Sequence, residues 1–407
     1  MPYDVRPITG EELDRFVHAT IDAFHEEPHE GELALWRRAV ELDRTLAAFA
    51  GDEIVATSGL LSLEITLPGA VVPMAGVTAV GVDPLHRGEG LLGRMMRGHL
   101  EAIHERGAEA VAALWASEGG IYGRYGYGIA ARMWDITVRS AEARLRTPVP
   151  EGHSLRRGTP KDLVDHMRTV YERVRPQRPG LLSRDGVAWD ERISDFEHHR
   201  EGAGRLRAVA CDGPTGPEGY ALFAVRNVWT DHHPEDVVVL RELVAATPGA
   251  SAALWEHLLG LSLTRSLQWE FAPSDEALPY LLSDPRAVGG NLRESYWVRL
   301  VDVPRALAER TYASAVDVVL DVSDDDCPWN RGRWRLAGDA GGATCERTKA
   351  AADLALGATE LGAVHLGGTT LAALADAGRV EERSAGALAT ASRAFKGERE
   401  PWSLETF

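Results

Sequence analysis

Between Val77 and Arg106 the chain runs through three textures in succession. Small and β-branched residues, Val77 to Val82, come first. The loop Asp83-Pro84-Leu85-His86-Arg87-Gly88-Glu89-Gly90 follows, and then apolar residues recur at Leu91, Leu92, Met95, Met96, Leu100 and Ile103. The last spacing is close to the 3.6-residue period, so the stretch reads as strand, loop and helix. A second buried strand is expected at Ala108–Trp115, followed by an aromatic-glycine cluster around Tyr122. A glycine- and arginine-rich loop that opens a helix is an anion cradle. The N–H groups of the first turn have no helical partners, the dipole is positive at that end, and glycine permits close approach. The stretch therefore implies a phosphate-bearing ligand.

Two phosphate motifs compete for this loop. Gly88-x-Gly90-x-x-Gly93 is literally the dinucleotide fingerprint, with Glu118 available as a ribose-binding acid, and would make the chain a nicotinamide dehydrogenase. In that fold, however, the first glycine closes directly on the strand, whereas here Asp83–Arg87 intervenes. The Walker ending Gly-Lys-Ser/Thr is absent. The other match is Val80-x-Val82-x-Pro84-x-His86-Arg87-x-x-Gly90-Leu91-Leu92. It resembles the acetyl-CoA signature of the GNAT acetyltransferases, Arg/Gln-x-x-Gly-x-Gly/Ala. Leu92 stands where Gly or Ala is usual, and that leucine is the choice of the Eis (enhanced intracellular survival) aminoglycoside acetyltransferase subfamily. The run Ile121-Tyr122-Gly123-Arg124-Tyr125-Gly126-Tyr127-Gly128 is similar to a second signature of the same subfamily.

With 407 residues, the chain is long for one core. Its order supports the resemblance: a short strand at Val5–Ile8, a helix from about Glu11 to Phe24 with a Thr9/Glu12 capping box, and a second helix at about Glu30–Val40. Strands Arg44–Ala50 and Glu53–Leu67 then flank a Gly51-Asp52 turn, and Ala131–Val138 is expected to end the first unit. Arg146–Gly158 reads as a linker. The unit after it repeats the strand-then-helix rhythm without an Arg-x-x-Gly loop, and from Tyr296 the pattern changes again. The resemblance implies an α/β (α+β) architecture of tandem GNAT folds followed by a sterol-carrier-like domain. The divisions are a catalytic GNAT domain at 1–143, a degenerate one at 144–292 and the sterol-carrier-like domain at 293–407.

Composition bounds the partners. A formal charge of −17 disfavours nucleic acid and anionic membranes and would attract a cationic small molecule. No apolar run reaches the roughly 20 residues of a bilayer span. The first residues lack the basic-then-apolar pattern of a secretory leader, and three scattered cysteines give no disulfide or zinc framework, so a cytoplasmic protein is expected. His25-Glu26-Glu27-Pro28-His29 spells HExxH, but Pro28 would break the helical turn that a zinc site needs.

Acyl transfer from a thioester to an amine requires a held and polarised carbonyl, a neutral amine, a proton acceptor and a proton donor for the leaving thiolate. By resemblance, backbone N–H groups of Arg87, Gly88, Glu89, Gly90 and Leu91 would bind the pyrophosphate of acetyl-CoA. Val80 and Val82 would align its pantetheine, and Ser117 completes the expected cofactor contacts. Tyr122 matches the family's general acid, and a phenol with a pKa near 10 suits a thiolate. The free carboxylate of Phe407 would be the base, as the subfamily's C-terminus is. Asp22, Phe24, Trp36 and Glu405 would line an acidic, aromatic amine pocket. The subfamily also implies a hexamer. Two rivals remain: a non-catalytic acyl-CoA- or lipid-binding protein on the same scaffold, and a protein lysine acetyltransferase.

Overall fold

The computed structural model describes residues 3–407. They form two compact units, one of residues 3–131, Ser295–Pro401 and Glu405–Phe407, the other of Arg132–Glu294 and Trp402–Leu404.

The first unit is built on a mixed seven-stranded sheet. Its strands are β1 (Asp4–Arg6), β2 (Thr45–Ala50), β3 (Glu53–Leu67), β4 (Ala70–Val82), β5 (Val111–Trp115) and β6 (Gly128–Ile129), with Tyr296–Leu300 inserted between β5 and β6. Three helices matter for the site: α1 (Leu13–Ala23), α2 (Glu30–Ala39) and α3 (Leu91–Arg106). Glu12 closes the expected capping box on Thr9, accepting from the Thr9 N–H at 2.9 Å, while Gly10–Glu12 itself forms a 3-10 turn ahead of α1. His25–His29 lies between α1 and α2 rather than on a helix, so the HExxH pair has no shared helical face. β3 and β4 make a long antiparallel hairpin, and β4 runs parallel to β5 with α3 as the crossover. A single parallel pair in a largely antiparallel sheet is not the doubly wound sheet that a dinucleotide reading of Gly88–Gly93 requires.

A five-stranded sheet completes this unit, in the order Gly342–Arg347, Gly332–Asp339, Val316–Ser323, Leu354–Gly357, Val380–Glu382. Arg299 ties the inserted strand to it: Nη2 of its fully buried guanidinium donates to both carboxylate oxygens of Asp324, at 2.7 and 2.8 Å. Isolated, either charge would be costly there; together they satisfy each other.

The second unit is another seven-stranded sheet, in the order Val288–Glu294, β7 (Arg132–Arg139), Thr264–Pro273, Asp236–Ala245, Gly216–Arg226, Arg207–Gly213, Ser154–Gly158. Helix Pro248–Leu259 connects Asp236–Ala245 to the parallel Thr264–Pro273, the same crossover that α3 makes. Trp255, Trp269 and Trp402 are buried in its core.

Two strands lie elsewhere than the sequence reading puts them. β7 does not end the first sheet; it pairs with Val288–Glu294 and Thr264–Pro273 in the second. Tyr296–Leu300, assigned to the third domain, is a fully buried strand of the first sheet, paired with β5 and β6. An apolar strand announces that it will be buried, not which sheet buries it. The expected linker is likewise in part an edge strand, Ser154–Gly158.

Candidate active site

β4 departs from regularity where the sequence analysis puts the cofactor. Its register with β3 pairs Thr57 with Gly81 and Gly59 with Thr78, so Ser58 faces two residues, Ala79 and Val80. This is a β-bulge, and Ala79 adopts φ +54, a left-handed conformation costly for a residue with a Cβ. β4 pairs with β5 only across Met74–Val77, although it continues to Val82. Beyond Val77 the two strands part, and the β5-side edge of Thr78–Val82, which includes Val80 and Val82, has no strand beside it among the described residues. An edge with open N–H and C=O groups accepts an extended ligand as an added strand.

The loop after β4 is anchored at its start. Asp83 accepts from the Leu85 N–H at 2.7 Å, and Tyr3 Oη lies 2.9 Å from His86 Nδ1. Arg87, Gly88, Glu89 and Gly90 are exposed. Gly88 and Gly90 have φ of +85 and +75, and no atom lies within 4 Å of where either Cβ would be. Gly90 caps α3 without any side-chain acceptor, and no acidic residue occupies the first helical turn, so among the described residues no side chain fills this cap. Helix Pro248–Leu259 differs at this point: the Thr247 hydroxyl accepts from the Ala250 N–H at 3.2 Å and fills the cap. Ser117 is exposed just past β5.

Tyr122 opens a 3-10 turn, Tyr122–Tyr125, held by two contacts from later in the chain. Arg299 Nε donates to the Tyr125 carbonyl at 3.0 Å, and Thr359 Oγ1 donates to that of Gly123 at 3.1 Å. The Tyr122 ring is buried edge-on to Tyr127, and its hydroxyl makes no hydrogen bond to the described residues. Burial first, then Glu118 and Tyr125, push this phenol up to about 12. It keeps its proton throughout the neutral range.

Tyr122 shares a cluster with Ala75, Val77, Leu114, Met96 and Leu100, on the α3 face of the sheet. Strand alternation turns Gly76 to the other face. There its bare backbone seats the Phe407 ring: a Cβ on Gly76 would lie 2.9 Å from Phe407 Cε2. Phe407 also packs edge-on against Tyr296, with centroids 5.6 Å apart, and Tyr296 Oη donates to the Glu405 carbonyl at 2.8 Å. The last residues are thus held against the sheet face opposite Tyr122.

α1 packs on this same face, since Thr20 contacts Thr57 and Ala23 meets Gly81. Asp22 and Phe24, at its end, are exposed. Trp36 is half-buried against Ile8, Phe16 and Leu33, so much of its ring serves packing, and Glu405 is half-buried. Gly76, Tyr296 and Thr57 went unnoticed in the sequence. Gly76 lay within a run of small residues, and Tyr296 looked like the start of a domain.

Residues 4–130 and 180–300 each match an acetyltransferase (GNAT) domain, and residues 303–404 match a sterol carrier protein domain. An uncharacterized N-acetyltransferase of Streptomyces avermitilis is 42% identical over 99% of both chains. The N-acetyltransferase Eis of Mycobacterium tuberculosis is 35% identical over 88% of both. Among solved structures, Eis1 from Mycobacterium abscessus aligns with a TM-score of 0.86 at 30% identity, covering 99% of this chain and 100% of that one. A GCN5-related N-acetyltransferase from Kribbella flavida aligns at 0.79 and 27%, covering 100% and 98%.

Proposed function

The chain belongs to the Eis family of GNAT N-acetyltransferases, and on that premise we propose that it acetylates amines of aminoglycosides or similar polyamines, by direct transfer from acetyl-CoA within a ternary complex. The residues present suit acetyl-CoA. The open cradle at Gly88–Gly90 and the uncapped start of α3 fit a pyrophosphate, and the free edge of Thr78–Val82 fits an extended pantetheine. When bound, the cofactor supplies an acetyl thioester whose C–S bond breaks as the C–N bond to the amine forms.

The chain's own groups then divide the work. Backbone N–H groups from Arg87 to Leu91 bind the pyrophosphate, and the Val80 N–H polarises the thioester carbonyl. The α-carboxylate of Phe407 takes the proton that the amine nitrogen loses, through a water. Tyr122 gives its proton to the departing thiolate and recovers one from solvent. The observation that carries this reading is the two-sidedness of the site: Tyr122 lies on the α3 face, and the Phe407 ring lies against Gly76 on the other. Asp22, Phe24, Trp36 and Glu405 are assigned to the amine pocket, and the charge of −17 favours a polycation. A cytoplasmic hexamer belongs to the same proposal; among the described residues no helix is long and apolar enough to cross a membrane.

In the sterol-carrier-like part, an open pocket of about 460 Å³ is lined by Asp321, Glu360, Arg379 and Arg383 and does not suit the lipid-carrier alternative as its site. A charged lining is unsuited to an acyl chain or sterol. The test is thiol release with acetyl-CoA and a panel of aminoglycosides and lysine peptides, on wild type and on a variant carrying one glycine after Phe407. Aminoglycoside turnover that collapses in the extended variant supports the reading. Peptide-only turnover redirects it to proteins, and CoA binding without any turnover abolishes it.

A further inference from the structure

The bulge in β4 is held by a side chain of β3, and the β3 residue opposite it is itself fixed on the α3 face. On the α3 side, Ser58 Oγ lies 2.8 Å from His99 Nε2, and both groups are buried. On the α1 side, Thr57 Oγ1 donates to the Ala79 carbonyl at 2.8 Å. Thr20 Oγ1 lies 3.1 Å from Thr57 Oγ1 and can donate its one proton there, with the Phe16 carbonyl, 3.0 Å away, as the alternative acceptor for the same proton. Thr20 is fully buried and Thr57 is 1% exposed.

Peptide planarity gives this grip a direction. The Ala79 carbonyl and the Val80 N–H belong to one trans peptide unit and point to opposite sides of it. A carbonyl captured by Thr57 therefore turns the Val80 N–H away from Thr57. An alanine at φ +54 does not hold such an orientation unaided, since strained backbone persists only where its surroundings over-determine it. A donor that acts on developing charge is effective when it needs no reorganisation at the moment of reaction.

We propose that Thr57, supported by Thr20, is a positioning residue for acetyl transfer: by holding the Ala79 carbonyl it fixes the direction in which the Val80 N–H meets the thioester. This rests on the reading of the Thr78–Val82 edge as the acetyl-CoA site. Thr57 does not touch the substrate; it acts through the peptide it holds.

The test compares Thr57→Val, which keeps the shape and loses the hydroxyl, with Thr57→Ser, which keeps the hydroxyl. Steady-state kinetics would be run beside CoA affinity by calorimetry. The expected result is a fall in kcat of about tenfold or more in the valine variant. KM for acetyl-CoA and CoA affinity should stay within about twofold, and the serine variant should recover to within about threefold of wild type. Should the valine variant not fold, Thr20→Val is expected to lower kcat about threefold at unchanged KM, and an unchanged kcat there overturns the proposal. An active wild type with an indifferent Thr57→Val overturns this proposal alone. Equal losses in both Thr57 variants, accompanied by weakened CoA binding, also overturn it, because they mark a structural role. An inactive wild type overturns the acetyltransferase reading and this proposal together.

Discussion

A methyl group on Gly76 would come within 2.9 Å of Phe407 Cε2 and 2.8 Å of Leu63 Cδ1, closer than carbon atoms pack. Leu63 can turn a methyl aside, but a ring lying on the sheet has to lift. Overpacking of this kind costs about 1–3 kcal/mol, which spent on the tail's position corresponds to about 5- to 150-fold in rate. Gly76→Ala is therefore expected to lower kcat about tenfold while CoA affinity holds. A kcat equal to wild type would remove the ring's seat from the mechanism. Tyr122→Phe probes the other face. Loss of the general acid should lower kcat about 100-fold with little change in KM for acetyl-CoA. Because burial holds the phenol near 12, the wild-type pH–rate profile should show no alkaline fall from this group below about pH 11. A fall centred near 10 that vanishes in Tyr122→Phe would mean that burial does not hold the phenol up.

Two helices in this chain make the same crossover, and the residue in front of each decides what its first turn can do. Thr247 closes the cap of Pro248–Leu259, whereas Gly90 leaves that of α3 open. Gly90→Asp would put a carboxylate at the start of α3, on a left-handed backbone rather than the extended one of Thr247. Aspartate is a favourable cap and among the residues most tolerant of positive φ, so stability should change by no more than about 1 kcal/mol. Its carboxylate would compete for the N–H groups and repel a phosphate, so CoA affinity should fall about 100-fold by calorimetry. Affinity equal to wild type would place the pyrophosphate elsewhere. This contrast was legible in the sequence, because glycine, threonine and the apolar period are local signals. Helices α1, α2 and α3 and the β2–β3 turn were legible for the same reason. The exchange of β7 and Tyr296–Leu300 was not, since pairing partners are chosen by tertiary burial. Nor was the bulge: alanine is the last residue that composition would assign to φ +54, and the Thr57 hydroxyl on the Ala79 carbonyl is a tertiary contact that no local signal announces.

Across the whole molecule, the folded state keeps two histidines neutral in places that exclude water. His99 and His365 are both pushed down to about 3, by burial first and then by the neighbouring Arg44 and Arg310 respectively. Neither ring nitrogen of His365 has a hydrogen-bond partner. Arg310, beside it, bonds the carbonyls of Val364 and Phe395 at the ends of two helices. Its own pKa is lowered by burial to about 10, so it keeps its charge at neutral pH and repels a second one. The unfolded chain takes up a proton on each imidazole near pH 6.5, while the folded chain does not until about 3. The unfolded state thus binds more protons throughout that window, and stability falls as pH falls. Between pH 6.5 and 5 the loss comes to roughly 1.5 kcal/mol per histidine. Carboxylates held low, such as Glu242 at about 2, exact their cost only below their ordinary range, so they do not enter this window. His365→Leu fills a similar volume and removes one titration without breaking a hydrogen bond. Denaturant unfolding at pH 6.5 and pH 5 should show the wild type losing more stability than the variant, by about the amount assigned to one histidine. Equal losses would mean that His365 is protonated in the folded protein, and that the Arg310 helix junction opens to water at mildly acid pH.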